Sequence, residues 1–270
     1  MSPEGSLRAR YGPWALVAGG STGLGAEFAR QLAAARLNLV LVAEAAEPLT
    51  SLAADLSARH AVEVLPVVAD LAEPGMLGII ERAAGQLEIG LLICNAAHVP
   101  IGPFLGRPLE DHLRAVQVNC RAPVALIHRF APGMVARGRG GILLMSSLAG
   151  LQGSALLATY SASKAFDLVL GEALWEELRG TGVDVLALCA GAVRTETYLA
   201  SNPRPPRVGP PVMAVEPVVR HALASLPRGP RVVAGHPNRI AATLLQLLPR
   251  RWSVRLMGRS TRALYPHRAD

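Results

Sequence analysis

Short apolar runs alternate with stretches of helical periodicity along most of this chain. The runs Trp14–Ala18, Leu37–Ala43, Val62–Ala69, Gly90–Asn95, Gly141–Ser147 and Val183–Cys189 read as strands buried on both faces, because they are continuously apolar and do not alternate with polar residues. Between them, Ala26–Leu37 sets Phe28, Leu32 and Ala35 at helical spacing, and Leu49–His60, Leu109–Arg137 and Thr159–Arg179 follow the same period. A βαβαβ half is complete by Asp70. The alternation predicts an α/β fold: one Rossmann-type domain over 1–270, with a doubly wound parallel sheet of about seven strands and helices on both faces. The pattern then breaks. Residues 196–217 are dense in proline and are expected to hold neither helix nor strand. A helix (Val218–Leu226), a short strand around Arg231–Gly235 and an amphipathic segment (Asn238–Leu256) close the chain, and no internal repeat is visible.

Composition narrows this picture. At 270 residues, 51% apolar and mean hydropathy +0.31, the chain suits one large buried core with one active site and is not disordered. No run approaches the roughly 18 to 20 charge-free apolar residues that span a bilayer, and the start, MSPEGSLRARYGP, lacks a signal-peptide core. The expectation is a soluble, cytoplasmic protein. Cys94, Cys120 and Cys189 are far apart in apolar contexts and read as buried reduced thiols. The seven histidines show no paired ligand spacing, so no metal is expected. The net charge of +7 lies entirely in residues 231–270, which hold eight arginines and one acid, Asp270. Solvated arginines on the outer face of a helix are the simpler reading of that basic segment. Contact with an anionic membrane surface or a partner subunit is the alternative, and nucleic acid is not expected, since aromatic interleaving is absent.

Two segments carry chemistry. Ala18–Gly25, AGGSTGLG, lies where a strand hands over to a helix, so its amides and the helix dipole can meet a pyrophosphate that the glycines let approach. The same letters contain Gly-x-Ser-x-Gly around Ser21, the pattern of a hydrolase nucleophile elbow, but too little chain precedes Ser21 to supply an oxyanion loop. In the second segment, Tyr160 and Lys164 stand four apart on one helical face. Reducing a ketone requires a proton on oxygen as hydride reaches carbon, and an ammonium beside a phenol favours sharing that proton. Lys164 is the only lysine in the chain. That marks a site needing a compact ammonium, which arginine cannot replace.

These residues together resemble the short-chain dehydrogenase/reductase family over essentially the whole chain. The family's Thr-Gly-x-x-x-Gly-x-Gly turn matches Gly19, Gly23 and Gly25, with Ala18 in place of threonine. Its adenine-facing acid matches Asp70. Its Asn-Asn-Ala-Gly segment matches Cys94, Asn95, Ala96 and Ala97 in part. The catalytic tetrad matches Asn119, Ser147, Tyr160 and Lys164. The segment Ala190–Thr195 matches Pro-Gly-x-Val-x-Thr without its proline.

The resemblance implies that Ser147, rather than the neighbouring Ser146, holds the substrate oxygen. It makes Tyr160 the general acid or base, Lys164 the residue that binds the nicotinamide ribose and acidifies the phenol, and Asn119 the residue that positions Lys164 through a water. Cofactor contacts fall to Gly19, Ser21, Thr22, Gly23, Leu24, Gly25, Glu44, Asp70, Leu71, Asn95, Ala96, Ala97, Tyr160, Lys164, Val193 and Thr195. Glu44, after the second strand, favours NAD(H) over NADP(H), since a carboxylate repels a ribose phosphate; an outward Glu44, with Arg36 or a distant arginine on the phosphate, is the alternative. Loop 196–217 corresponds to a substrate lid whose Tyr198, Leu199, Val212 and Met213 suit a hydrophobic ketone or secondary alcohol. A homodimer or homotetramer built on Leu109–Arg137 and Thr159–Arg179 is implied, with Ala162, Ala165 and Gly171 serving either close helix approach or packing within the monomer. A silent cofactor-binding sensor or scaffold, or isomerase or dehydratase chemistry on the same site, are the rival functions.

Overall fold

The computed structural model describes residues 3–204 and 210–266. The elements run α1 (Pro3–Tyr11), β1 (Trp14–Ala18), α2 (Gly23–Ala34), β2 (Asn38–Ala43), α3 (Ala46–His60), β3 (Val64–Val68), α4 (Met76–Ala84), β4 (Ile89–Cys94), α5 (Leu109–Val116), α6 (Ala122–Ala136), β5 (Gly140–Ser147), α7 (Ala158–Glu177), β6 (Val183–Ala190), α8 (Glu196–Ala200), α9 (Val215–Ser225), β7 (Arg231–Val233), α10 (His236–Leu247) and α11 (Arg250–Leu264). The seven strands form one parallel sheet in the order β3-β2-β1-β4-β5-β6-β7. The expected architecture is therefore present.

Alternate residues of each strand feed opposite cores. Ala15, Val17, Leu39, Leu41, Leu91 and Ile93 pack with Phe28 and Leu32 of α2, Leu49 of α3 and Val219 of α9. Leu16, Val40, Leu92 and Ile142 pack with Ile80 of α4 and Phe130 of α6. Strands buried on both faces have no use for polar alternation, which is why the runs are continuously apolar. Because the chain lays β2 and β3 to one side of β1 and β4 to the other, the sheet order reverses between β1 and β4. The C-terminal ends of those two strands open into the crevice where open α/β sheets hold ligands.

Four local expectations are corrected. The lid region was read as free of helix, yet Thr195 caps a short α8, its Oγ1 accepting the Tyr198 N–H at 3.1 Å; residues 205–209 of that loop lie outside the described set. The amphipathic segment Asn238–Leu256 is two helices, divided where Pro249 cannot continue α10 and instead opens α11. The long helix Leu109–Arg137 is interrupted by a π turn at Gln117–Arg121. Finally, α1 and α4 were not assigned at all.

Candidate active site

The turn after β1 and the loop after β4 are one hydrogen-bonded unit. Asn95 Nδ2 donates to the Gly19 carbonyl at 2.8 Å, and the Asn95 and Ala96 N–H groups donate to the Ala18 carbonyl at 3.0 and 2.8 Å. Two glycines make this approach possible. Gly19 has φ +82°, and a Cβ there would stand 2.6 Å from the Ala96 Cα; a Cβ on Gly25 would fall 1.8 Å from the Gly19 carbonyl oxygen. Thr22 precedes α2 in extended conformation and its side chain caps nothing, so the first amides of the helix are left for an external acceptor. One of them already has an anionic partner: the Gly23 N–H donates to Glu196 Oε2 of α8 at 3.0 Å. A glycine cradle whose amide takes a carboxylate has the donor chemistry of a dinucleotide diphosphate site. Ser21 and Leu24 flank it, both half-buried. Among the described hydrogen bonds Ser21 has no histidine partner, which removes the support a hydrolase elbow would need.

At the outer end of the crevice, Glu44 follows β2 and Asp70 follows β3. Arg114 of α5 joins them, donating to Glu44 Oε2 at 2.6 Å and to Asp70 Oδ2 and Oδ1 at 2.9 and 3.2 Å. Asp70 Oδ1 also accepts the Ala72 N–H at 2.8 Å. Burial works against the Asp70 carboxylate, but the bonds from Arg114 and Ala72 outweigh it and hold the group below the usual carboxylate range. Leu71 is buried beneath. Arg114 was not singled out from the sequence, because its partners lie 44 and 70 residues away and no local pattern marks them.

The inner end is built on the π turn and α7. Asn119 is fully buried. Its Oδ1 accepts the His98 N–H at 2.7 Å, and its Nδ2 donates to the His98 carbonyl and to Ser163 Oγ, both at 2.9 Å. Ser163 in turn donates to the Tyr160 carbonyl at 2.8 Å, so Asn119 fixes the helix that carries Tyr160 against the loop after β4. The two candidate serines, being neighbours on one strand, diverge. Ser146 is buried and donates to the Lys164 carbonyl at 2.7 Å, whereas Ser147 ends β5 half-exposed, its Oγ accepting only the Ala149 N–H at 3.2 Å.

Lys164 is 3% exposed. Its Nζ lies 5.9 Å from the Tyr160 ring centre and donates to the Met145 carbonyl at 2.7 Å and to Asp167 Oδ2 at 2.9 Å. Burial disfavours the ammonium, but the charge of Asp167 and the proximity of Tyr160 more than offset this, and Lys164 is held above its ordinary range. Asp167, itself 2% exposed, was missed in the sequence, although an acid one turn beyond the sole lysine on a largely apolar helix was a usable signal.

Beyond β6, Val193 is buried and bridges to Met213: Arg194 N–H donates to the Met213 carbonyl and Met213 N–H to the Ala192 carbonyl, both at 2.9 Å. Thr195 caps α8 beside Gly23. Tyr265, just past α11, is buried, and the end of α11 meets the lid loop, the Arg204 N–H donating to the Leu264 carbonyl at 2.8 Å. The C-terminal helices thus reach the lid loop, which no motif announced. The three cysteines are unpaired, and the described residues hold no cluster of potential metal ligands.

The sequence profile of the short chain dehydrogenases matches residues 13–205. The chain is 32% identical over 238 residues to the 7beta-hydroxysteroid dehydrogenase of Collinsella aerofaciens, covering 87% of this chain and 90% of that one. A solved 7beta-hydroxysteroid dehydrogenase structure superposes with TM-score 0.87 at 29% identity, over 93% of this chain and 98% of the other. A short-chain dehydrogenase from Sphingobium yanoikuyae in complex with NADPH gives TM-score 0.77 at 33% identity, over 87% and 92% of the two chains. With this profile, these relatives and a seven-stranded parallel sheet that opens at the β1–β4 reversal, the chain belongs to the short-chain dehydrogenase/reductase family of oxidoreductases.

Proposed function

We propose that the protein interconverts a hydrophobic ketone and a secondary alcohol, with Tyr160 moving the proton and NAD(H) as the nicotinamide cofactor. The observation that carries this reading is Tyr160 standing on α7 beside a buried, cationic Lys164, at the inner end of a glycine-lined crevice. Nicotinamide, when bound, supplies or accepts the hydride. In reduction, Ser147 donates a hydrogen bond to the substrate oxygen, and Tyr160 releases its phenolic proton to that oxygen; in oxidation it takes the proton back. Lys164 steadies the phenolate by its charge and would hold the nicotinamide ribose. Asn119 keeps α7 in place through Ser163. Diphosphate binding falls to the Gly19–Gly25 turn, with Ser21, Thr22 and Leu24. Asp70, Leu71, Asn95, Ala96 and Ala97 line the adenosine path, and Val193 and Thr195 the carboxamide side.

The preference for NAD(H) rests on the charges at the adenosine end. Glu44, Asp70 and Arg114 sum to one net negative charge, and a ribose phosphate would have to draw Arg114 away from both carboxylates. A carboxylate about 4 Å from a phosphate charge costs on the order of 1 to 4 kcal/mol. The hydrophobic substrate class is supported by the lid residues Tyr198, Leu199, Val212 and Met213, by Tyr265, and by a relative that acts on a hydroxysteroid. Exposed Leu109, Leu113, Val116, Val124, Phe166 and Val169 on α5–α7 support a homodimer or homotetramer through that face. Gly171 packs inward instead, since a Cβ there would meet Ala187 at 2.9 Å. A cytoplasmic location is part of the same reading, since three unpaired thiols suit a reducing compartment.

The test is a fluorescence titration with NADH and NADPH, followed by a screen of bulky ketones and secondary alcohols on the wild type and Tyr160→Phe. Binding by both proteins with turnover only in the wild type supports the reading. Failure of both nucleotides to bind would overturn it, and tighter NADPH binding would overturn the cofactor choice alone.

A further inference from the structure

The last two helices pack the wrong way round for a solvated surface. Their inward residues are small or polar: Asn238 and Ala242 of α10, and Ser253, Gly258 and Thr261 of α11 are buried. Their outward residues are large and apolar: Ile240, Leu244 and Leu247, spaced by four and three along α10, are 49%, 58% and 77% exposed, and Trp252 and Leu256, four apart on α11, are 63% and 51% exposed. Leu247 and Leu248, 77% and 41% exposed, stand where α10 hands over to α11. Arg239, Arg250, Arg251, Arg255, Arg259 and Arg262 border them, all exposed. No acidic residue occurs between Glu216 and Asp270.

The charge decides the occupant. In a symmetric contact centred on this face, the arginines of one copy would crowd those of the other, with no acid in α10 or α11 to answer them. An apolar stripe with a tryptophan, accompanied by arginines and by no acid, has the build of a helix lying in a lipid interface with its cations at the headgroups. Neither helix is long and apolar enough to cross a membrane. We infer that α10 and α11 dock the protein on an anionic lipid surface, with the end of α11 set against the lid loop.

The experiment is co-sedimentation of the full chain with phosphatidylglycerol vesicles and with pure phosphatidylcholine vesicles, at low and high salt. Wild type should pellet with the anionic vesicles, and weaken with salt. A Trp252→Glu/Leu256→Glu variant, altered only at exposed positions, should lose at least about tenfold in vesicle affinity while keeping NADH binding and its size-exclusion volume. Failure to pellet with anionic vesicles would overturn the inference, as would a variant that pellets like wild type. A variant that merely dissociates an oligomer, in a protein that binds no vesicle, would make this face an interface between copies and overturn it equally.

A different observation bears on the reaction itself and rests on the proposed function. Besides Asp167, the titratable groups around Lys164 Nζ are Tyr160 on α7, Cys120 on the π turn and Cys94 on β4, and the Met145 carbonyl of β5 accepts one of its hydrogen bonds. Burial pushes both thiols up, Cys120 to about 11, so they stay neutral. Asp167 is the carboxylate within reach, and its Oδ1 has no other partner. We propose that Asp167 is a positioning residue that keeps the buried Lys164 charged and seated.

Because Lys164 is the sole lysine, one isotope-labelled lysine gives one resonance whose titration needs no assignment. In wild type it should titrate above free lysine. In Asp167→Asn it should titrate lower, the alkaline limb of kcat should move to lower pH, and NADH should still bind; Asp167→Glu should restore part of the shift. A wild-type midpoint at or below free lysine would overturn this role even if the asparagine variant failed to fold. Loss of NADH binding in wild type would instead defeat the functional reading.

Discussion

The two ends of the crevice solve the same electrostatic problem in opposite ways. At the outer end, Arg114 bridges two carboxylates in the open: the Glu44 side chain is 66% exposed and Arg114 34%. At the inner end, Lys164 and Asp167 face each other with side chains 4% and 3% exposed. Water screens the first set, so its charges can be rearranged without loosening the fold. The second set lies out of water, where removing one partner leaves the other stranded. The outer end is thus tunable and the inner end is committed.

The largest break in this contrast is chemical. Tyr160→Phe should lower kcat by about two to four orders of magnitude while NADH still binds, measured by turnover beside fluorescence titration. Next comes the buried pair: Lys164→Met, which strands Asp167, should destabilise the fold by about 3 to 5 kcal/mol in denaturant unfolding, whereas Arg114→Ala should change it by less than about 1 kcal/mol. Comparable losses for the two would erase the distinction. Glu44→Arg should raise the NADP-to-NAD efficiency ratio by roughly fivefold to several hundredfold without altering stability, and an unchanged ratio would deny the outer end its selecting role.

The smallest effect is in pH. Asp70 is depressed in the folded state, so its stabilisation is present above its unfolded value and is lost as pH falls through the folded one. Lys164 is raised, so its contribution is present below its unfolded value and is lost as pH rises through the folded one. Unfolding curves should therefore show Asp70→Asn flattening the acid side, whereas Asp167→Asn should change both limbs, since burial raises the Asp167 carboxyl itself and its loss withdraws the charge that raises Lys164.

What was legible in the sequence follows the range of the interactions. The six long strands came within two residues of their limits because burial on both faces writes itself as a continuous apolar run. The Gly19–Gly25 turn and the Tyr160–Lys164 pair could be read from the residues themselves, the other site residues only through the family resemblance, and the structure brings them to the two ends of one crevice. Arg114 could not be read, since it acts on partners remote in the chain, and neither could the contact of α11 with the lid loop. Nor could the outward apolar face of α10 and α11. Periodicity reports that a helix has a greasy stripe, not which way the stripe turns, and the ordinary assumption turns it inward. The short α8 was hidden by the prolines beyond it, and α4 was overlooked altogether.

The π turn at Gln117–Arg121 has a bearing on how this chain could vary in length. Such a turn is a helix carrying one residue more than an α-helix would need. Deleting one residue there would let α5 and α6 run on as a single regular helix with nearly the same faces presented on either side, because the wide turn absorbs the extra residue locally. Asn119, carried on the bulge, would lose the position from which it meets His98 and Ser163, while the apolar face of α6 would stay on the sheet. The extra residue is thus a local shim: a shortened π turn should cost the Asn119 contacts and spare the core.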